Sequence, residues 1–183
     1  MKKYMRTIDI LLLFLLPVFA VFLSLKFDLN LLLGTLLFFG VPAVYLSVRR
    51  SYGFKKALLF TGLFFVFFTL IVDHVGVLDG SWLVPETIFP FRLLGTVPLE
   101  DFVISFTTMM FVVLFYQQFL DRERRRLFYP RLHTLVVILL ASLALFFTVF
   151  LVSPSSLNIP YAYLYIGFLG IVPTACFLYR HPN

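Results

Sequence analysis

Residues 132–152 read LHTLVVILLASLALFFTVFLV, a stretch with no Asp, Glu, Lys or Arg. A helix needs about 20 mostly apolar residues to cross the hydrocarbon core of a bilayer. This stretch therefore predicts a membrane-spanning helix. Five other stretches have the same character, at residues 10–25, 29–48, 57–77, 102–120 and 160–179.

The composition of the whole chain agrees with a membrane protein. Of its 183 residues, 61% are hydrophobic and only 13% are charged, and the mean hydropathy is +1.00. These values exclude a water-soluble globular domain and a disordered chain. The fold class predicted is all-α: a polytopic integral membrane helical bundle of about six transmembrane helices, forming a single membrane domain over 1–183.

The positions of the basic residues predict the orientation of the bundle. All but two of the 15 Lys and Arg residues fall at the N-terminus, in the loops after the second and fourth spans, or in the C-terminal tail. The exceptions are Lys26 and Arg92. Basic residues concentrate on the cytoplasmic side of membrane proteins. The pattern predicts a multi-pass plasma-membrane protein with both termini cytoplasmic, whose basic clusters contact lipid headgroups rather than nucleic acid.

No motif in the sequence indicates a bound cofactor or metal. The nine glycines form neither a dinucleotide-binding fingerprint nor a phosphate-binding loop. The single cysteine, Cys176, cannot form an intrachain disulfide, and no Cys/His spacing suggests zinc. We therefore expect no cofactor and no metal site.

The loop between the third and fourth predicted spans differs from the other connections. Residues 73–101 read DHVGVLDGSWLVPETIFPFRLLGTVPLED and hold five of the nine acidic residues of the chain, together with its only tryptophan. A loop that is both apolar and acidic is expected to fold back on the outer membrane surface or to dip into the bundle. Simpler interpretations stay open: Trp82 as an interfacial anchor, Asp73 and His74 as the point where the third helix leaves the hydrocarbon, and Asp79-Gly80 as a turn.

The run Pro98-Leu99-Glu100-Asp101 has both a structural and a functional interpretation. Proline followed by acidic residues is typical of a helix N-terminus, with Val97 as the cap, Pro98 as the first residue and Glu100 as the third. Carboxylates at membrane depth are also frequent functional groups, and two adjacent ones can share a proton. The residues alone leave both interpretations open.

The loop and the helix that follows it resemble the lycopene cyclase domain of small integral-membrane carotenoid cyclases. The resemblance covers approximately residues 29–119, a three-helix unit with the outer loop 73–101. It is carried by Asp73, Gly76, Gly80, Trp82, Gly95, Pro98, Glu100 and Asp101.

This resemblance implies a redox-neutral isomerase, an intramolecular lyase of the lycopene β-cyclase type. A carboxylic acid protonates a terminal double bond of the carotenoid, the neighbouring double bond attacks the resulting cation, and a proton leaves the new ring. Glu100 is the first candidate for the acid or base, Asp101 is its partner, and Asp73 is a second-rank catalytic candidate. The candidate substrate-binding residues are Trp82, His74, Glu86, Arg92 and Pro98.

The chain departs from the complete cyclases, which contain two such domains, because it has a single P-x-E-D motif. A homodimer, or a heterodimer with a second cyclase half, would supply the missing domain. Two other functions stay open. One is a non-catalytic subunit that binds a carotenoid or another isoprenoid in the bilayer. The other is a Mg²⁺-dependent enzyme acting on prenyl diphosphates, although Asp73, Asp79 and Glu86 are not densely spaced.

Overall fold

The computed structural model of the protein describes residues 2–49, 51–83, 87–120, 132–162, 164–165 and 167–168. This part of the chain is mainly α-helical, which confirms the all-α prediction. In chain order, the long helices are the first helix (Lys2–Phe27), the second (Leu31–Arg49), the third (residues 51–78), the fourth (Leu99–Phe119) and the fifth (Leu132–Val152).

Four helices in the described part of the chain are long and apolar enough to cross a membrane. They are Thr7–Phe27, Leu31–Arg49, Phe54–Leu78 and Leu99–Phe119. The fifth helix adds a shorter apolar helical stretch, Val136–Val152. The predicted span at 160–179 lies mostly outside the described residues. Large apolar side chains cover the outside of these helices, for example Leu25 at 81% exposure and Val152 at 80%. The long apolar helices are therefore compatible with membrane insertion.

A short, well-defined connection joins the first helix to the second. The first helix ends at Phe27, and Asp28 then adopts a left-handed conformation with φ of 48°. The side chain of Asn30 accepts a hydrogen bond from the backbone N–H of Leu33 at 2.9 Å. This contact caps the second helix and satisfies one of the N–H groups that a helix start leaves without a partner.

The second and third helices each contain a π-helical segment. In the second helix, Leu36–Gly40 is π-helical between the α-helical segments Leu31–Thr35 and Val41–Arg49. In the third, Phe68–Asp73 separates Ser51–Phe67 from His74–Leu78. The helical backbone hydrogen bonding therefore continues past Asp73 and His74 to Leu78.

The contacts within the chain divide it into two compact units. Unit 1 comprises Met1–Val66 and Glu100–Phe128, and unit 2 comprises Phe67–Leu99 and Tyr129–Asn183. The core of unit 1 is formed by Leu13, Ala43, Leu46, Ala57, Met110, Leu114 and Phe119. The core of unit 2 is formed by Val75, Phe146, Leu157 and Ala162.

Unit 2 also contains a small antiparallel hairpin that the sequence analysis did not anticipate. Strand Arg92–Leu93 pairs with strand Val97–Pro98, and the tight turn between them has positive φ at Leu94 (54°) and Gly95 (76°). These two conformations turn the chain back on itself within the three residues that separate Leu93 from its partner Val97. The second strand is buried and packs against the π-helical segment Phe68–Asp73.

Candidate functional site

The two carboxylates of the P-x-E-D motif are buried at the start of the fourth helix. Glu100 and Asp101 lie in its first turn and are 3% and 9% exposed. The helix begins at Leu99, so the expected arrangement with Val97 as cap and Pro98 as first helical residue is wrong. The reason is that Val97 and Pro98 belong to the hairpin strand, which ends where the helix begins. Both side chains therefore lie inside the protein rather than in water.

His74 is buried against aromatic rings in unit 2. The imidazole is 2% exposed, and its centroid lies 5.6 Å from the ring of Phe146 and 5.3 Å from the ring of Phe150, both edge to face. Its Nδ1 atom lies 2.6 Å from the hydroxyl oxygen of Thr96. The Nε2 atom has no hydrogen-bond partner among the described residues. One ring nitrogen is thus fixed in position, and the other faces an apolar environment.

The hairpin holds Thr96 in place for this contact. The backbone N–H of Thr96 donates to the carbonyl of Leu93 at 3.2 Å, and its carbonyl accepts from Nη1 of Arg92 at 3.0 Å. Two of the candidate substrate-binding residues, Arg92 and Pro98, pair with each other across this hairpin. The same hairpin positions Thr96, the hydrogen-bond partner of His74. Arg92, Pro98 and His74 are therefore linked through Thr96 and the hairpin, and all three belong to unit 2.

Trp82 lies against the last turn of the third helix, where Gly76 leaves room for it. A Cβ atom at Gly76 would overlap the indole ring of Trp82. The half-buried ring therefore needs a glycine at this position. Asp73 is partly buried in the π-helical segment that precedes Gly76. Glu86, the remaining candidate, lies outside the described residues.

Asp79 organises the turn that follows the third helix. One carboxylate oxygen accepts hydrogen bonds from the hydroxyl and the backbone N–H of Ser81, and the other accepts from the backbone N–H of Ala162 at 3.0 Å. Gly80 between them has φ of 72°, so the structure has the turn expected at Asp79-Gly80. The hydrogen bond from the Ser81 hydroxyl is the main reason that the pKa of the Asp79 carboxyl is below its usual value.

A third buried carboxylate of unit 1, that of Asp9, was missed in the sequence. Asp9 is 2% exposed. Its Oδ1 accepts from the Tyr45 hydroxyl and, at 3.0 Å, from Arg49 Nε, and its Oδ2 accepts from the Gln118 amide at 3.1 Å. These contacts tie the first, second and fourth helices together. The sequence does indicate such a role for Asp9, because an acidic residue beside an apolar span needs a partner. The predicted span begins at residue 10, one residue after Asp9, and so leaves it out.

Unit 1 also contains an apolar cavity of about 450 Å³ between the second, third and fourth helices. Its lining includes Thr107 but neither Glu100 nor Asp101. Within the described residues, no three His, Cys, Asp or Glu side chains come close enough together to hold a metal ion.

Comparison with known proteins adds no assignment. No protein-family model, no curated protein and no solved structure matches this chain.

Proposed function

We propose that this protein is a carotenoid end-group cyclase of the lycopene type, or a close relative, and that it acts by redox-neutral acid–base isomerisation. The observation that carries the proposal is the burial of Glu100 and Asp101 in the first turn of an apolar helix. Carboxylates that only stabilise the start of a helix can face water, because the positive end of the helix dipole favours them there. Burying both carries a desolvation cost that exposure to water would avoid.

The proposed reaction needs an acid that is shielded from water. Protonated Glu100 gives its proton to the terminal double bond of a linear carotenoid, and a tertiary carbocation forms. The next double bond attacks this cation and closes the ring, and a proton then leaves the ring to a carboxylate. The product is an isomer of the substrate, so no oxidant or reductant is consumed. Exclusion of water protects the cation from capture as an alcohol.

The neighbouring carboxyl supports this role for Glu100. Asp101 directly follows Glu100 in the first helical turn and is also buried. Asp101 is therefore proposed as the partner of Glu100, and Asp73 as a further catalytic candidate. Trp82, His74, Arg92, Pro98 and Glu86 are proposed to contact the substrate, with the electron-rich face of Trp82 available to a cation.

The cellular setting belongs to the same proposal. The protein is proposed to span the plasma membrane about six times with both termini in the cytoplasm, because the basic residues cluster on one set of loops. It takes its substrate from the bilayer. The single P-x-E-D motif favours assembly as a homodimer, or as a heterodimer with a second cyclase half.

Expression in a lycopene-accumulating bacterium tests the proposed activity. Chromatography of the extracted pigments should show a monocyclic or bicyclic product with the wild type and none with Glu100→Gln. Asp28→Asn makes the same chemical change at an exposed acid and should leave the product unchanged. Unchanged lycopene in cells that contain the folded wild-type protein would reject a self-sufficient cyclase.

One observation favours a second candidate, a non-catalytic subunit that binds a carotenoid or another isoprenoid. The cavity in unit 1 is apolar, and neither carboxylate lines it. In such a protein, wild type and Glu100→Gln would retain the same pigment without changing it. The Mg²⁺-dependent prenyl-diphosphate alternative gains no support from the described residues, since none of them forms a cluster of three or more potential ligands.

A further inference from the structure

The cavity in unit 1 extends along the second helix to the connection at residue 50, between the second and third helices. Its wall on the second helix runs from Leu36 to Ser47, a distance of about 16 Å along a helix axis. Ser47 lies two residues before the second helix ends at Arg49. Phe54, on the opposite wall, lies three residues after the third helix begins at Ser51. One end of the cavity is therefore within a single helical turn of this connection.

The cavity is open toward the outside of the unit. Val41 and Val44 on the second helix and Leu58 on the third line it, and they are 42%, 64% and 41% exposed. Both helices are long and apolar enough to cross a membrane, so their exposed surface is the one that meets lipid chains. An acyl chain can therefore enter this cavity sideways from the surrounding lipid.

The walls of the cavity suit hydrocarbon and exclude polar groups. The two hydroxyl groups in its lining donate to carbonyls of their own helices, Ser47 to Val44 at 2.7 Å and Thr107 to Val103 at 2.6 Å. A polar group inside the cavity would lose its hydrogen bonds to water and gain none from these hydroxyls. A molecule with a polar end and an apolar chain would therefore keep its polar end outside, at one of the two ends of the cavity.

The charges on the second and third helices favour one of these ends. Residues 29–72 contain four basic residues and no acidic one, and all four lie beside the connection at residue 50. They are Arg49, Arg50, Lys55 and Lys56. Arg49 pairs with Asp9 in the core of the unit, and the structure of Arg50 is outside the described residues. Lys55 and Lys56 thus provide a positive charge that these two helices do not balance.

Lys55 lies beside the mouth of the cavity. Its side chain is exposed, it follows the lining residue Phe54 directly, and it precedes Leu58 by three residues. Residues three apart in a helix are neighbours on one face, so Lys55 adjoins the open wall at Leu58. Among the described residues, neither Lys55 nor Lys56 forms an ion pair with an acidic side chain. A ligand with a negative charge at this end would meet two lysines that are available to it.

We propose that the cavity binds one acyl chain of an anionic phospholipid, whose headgroup lies against Lys55 and Lys56. The apolar walls and the lateral opening account for the chain. The unbalanced positive charge at one end accounts for the headgroup, and a hydrocarbon without a headgroup would leave it unused. Binding of such a lipid neither requires nor excludes the proposed cyclase activity.

Two substitutions separate the headgroup contact from the chain contact. Lys55→Gln removes a charge at the mouth, and Lys26→Gln is its control, because Lys26 is an exposed lysine at the end of the first helix that does not line the cavity. Val44→Trp places a large ring at the open wall. Val48→Trp is its control one turn further along the same helix, at a position that is 77% exposed and outside the lining. All four side chains are exposed, so each variant should fold like the wild type.

Native mass spectrometry of the purified, full-length protein measures the binding. The protein in detergent is titrated with phosphatidylglycerol, which is anionic, or with phosphatidylcholine, which is zwitterionic and carries the same acyl chains. The wild type should bind phosphatidylglycerol about fivefold more tightly or better, the effect of one basic residue near the headgroup. Lys55→Gln should lose most of this preference. Val44→Trp should bind both lipids about fivefold more weakly or worse, as overfilling of a packed site does. The two controls should bind like the wild type.

Three results would overturn the proposal. Equal affinity of the wild type for the two lipids would remove the headgroup contact, as would the same preference in Lys55→Gln and Lys26→Gln. Equal binding of phosphatidylglycerol by Val44→Trp and Val48→Trp would show that the lipid does not enter the cavity. Displacement of bound phosphatidylglycerol by an equal concentration of lycopene would assign the cavity to a pigment and would support the non-catalytic subunit instead. Ring formation in cells is scored separately, so failure of the cyclase proposal leaves the lipid assignment standing.

Discussion

Asp9 is a buried carboxylate whose negative charge is compensated by three side chains from two other helices. Tyr45 and Arg49 come from the second helix, and Gln118 comes from the fourth. A buried ion is tolerated only when it is paired and hydrogen-bonded. The Arg49 side chain is 31% exposed, so solvent screening weakens its ion pair with Asp9 relative to a fully buried pair.

Asp9→Asn should lower the stability of the protein. The change removes the charge that Arg49 pairs with and leaves buried groups with poorer partners, at a cost of about 1–3 kcal/mol. Tyr45→Phe removes one hydrogen bond and should cost about 1 kcal/mol. Thermal unfolding in detergent measures both effects, with the exposed Asp28→Asn as a control. A midpoint for Asp9→Asn equal to that of Asp28→Asn would contradict this account.

The Asp79 turn should make stability depend on pH at the acidic end. Hydrogen bonds from Ser81 lower the pKa of Asp79 in the folded protein, so its contribution is present above the unfolded pKa of about 3.9 and is lost as pH falls through the lower folded value. The wild type should therefore be more stable than Asp79→Ala near neutral pH, and the difference should shrink below about pH 4. Thermal unfolding of both proteins across this range measures it. A difference independent of pH would contradict the ionic role.

The last turn of the third helix depends on the contact between Gly76 and Trp82. Glycine in a helix is less stable than alanine by about 0.5–1 kcal/mol, so Gly→Ala in a helix normally stabilises. Gly76→Ala should instead destabilise, because the new methyl group overlaps the indole ring. Since Trp82 is the only tryptophan, its fluorescence reports the displacement as a shift of the emission maximum to longer wavelength.

Gly62→Ala is the matched control for this change. Gly62 lies in the same helix, and a Cβ there would meet nothing within 4 Å. It should leave the emission of Trp82 unchanged and should not destabilise the protein. Identical spectra for the wild type and Gly76→Ala would show that the contact does not hold Trp82 in place.

Hydropathy predicts the apolar centres of the helices well and their ends poorly. The predicted span 132–152 coincides with the fifth helix, whereas the first helix begins at Lys2 rather than at residue 10. Polar residues at a helix end are invisible to a criterion based on apolar length. The π-helical segments were not predictable either, because they arise from a local choice of hydrogen-bond partner that leaves no hydrophobic signature.

The burial and contacts of the site residues could not be derived from their positions in the sequence. Their motif singled out Glu100 and Asp101, but only packing could show that both are buried. The contact between His74 and Thr96 joins residues 22 positions apart. It depends on a turn through Leu94 and Gly95, and leucine is not a residue that signals positive φ.

In the molecule as a whole, helices that follow one another in sequence do not always belong to the same packed unit. Each unit is built from two separate stretches of sequence, so the region 29–119 that resembles a cyclase domain contributes to both. Asp73 and Trp82 belong to unit 2, and Glu100 and Asp101 belong to unit 1. An apolar pattern predicts that helices exist, but it does not determine which helices share a core, because most of their surfaces are equally hydrophobic.

The π-helical segment Phe68–Asp73 determines where the third helix can lose a residue. A π-helical turn accommodates one residue more than an α-helical turn, so removing one residue from this segment would restore a regular helix and leave both flanking faces unchanged. Removing one residue from Ser51–Phe67 would instead rotate everything after it by about 100° relative to everything before it. The chain can therefore shorten at one place in this helix without losing its alignment.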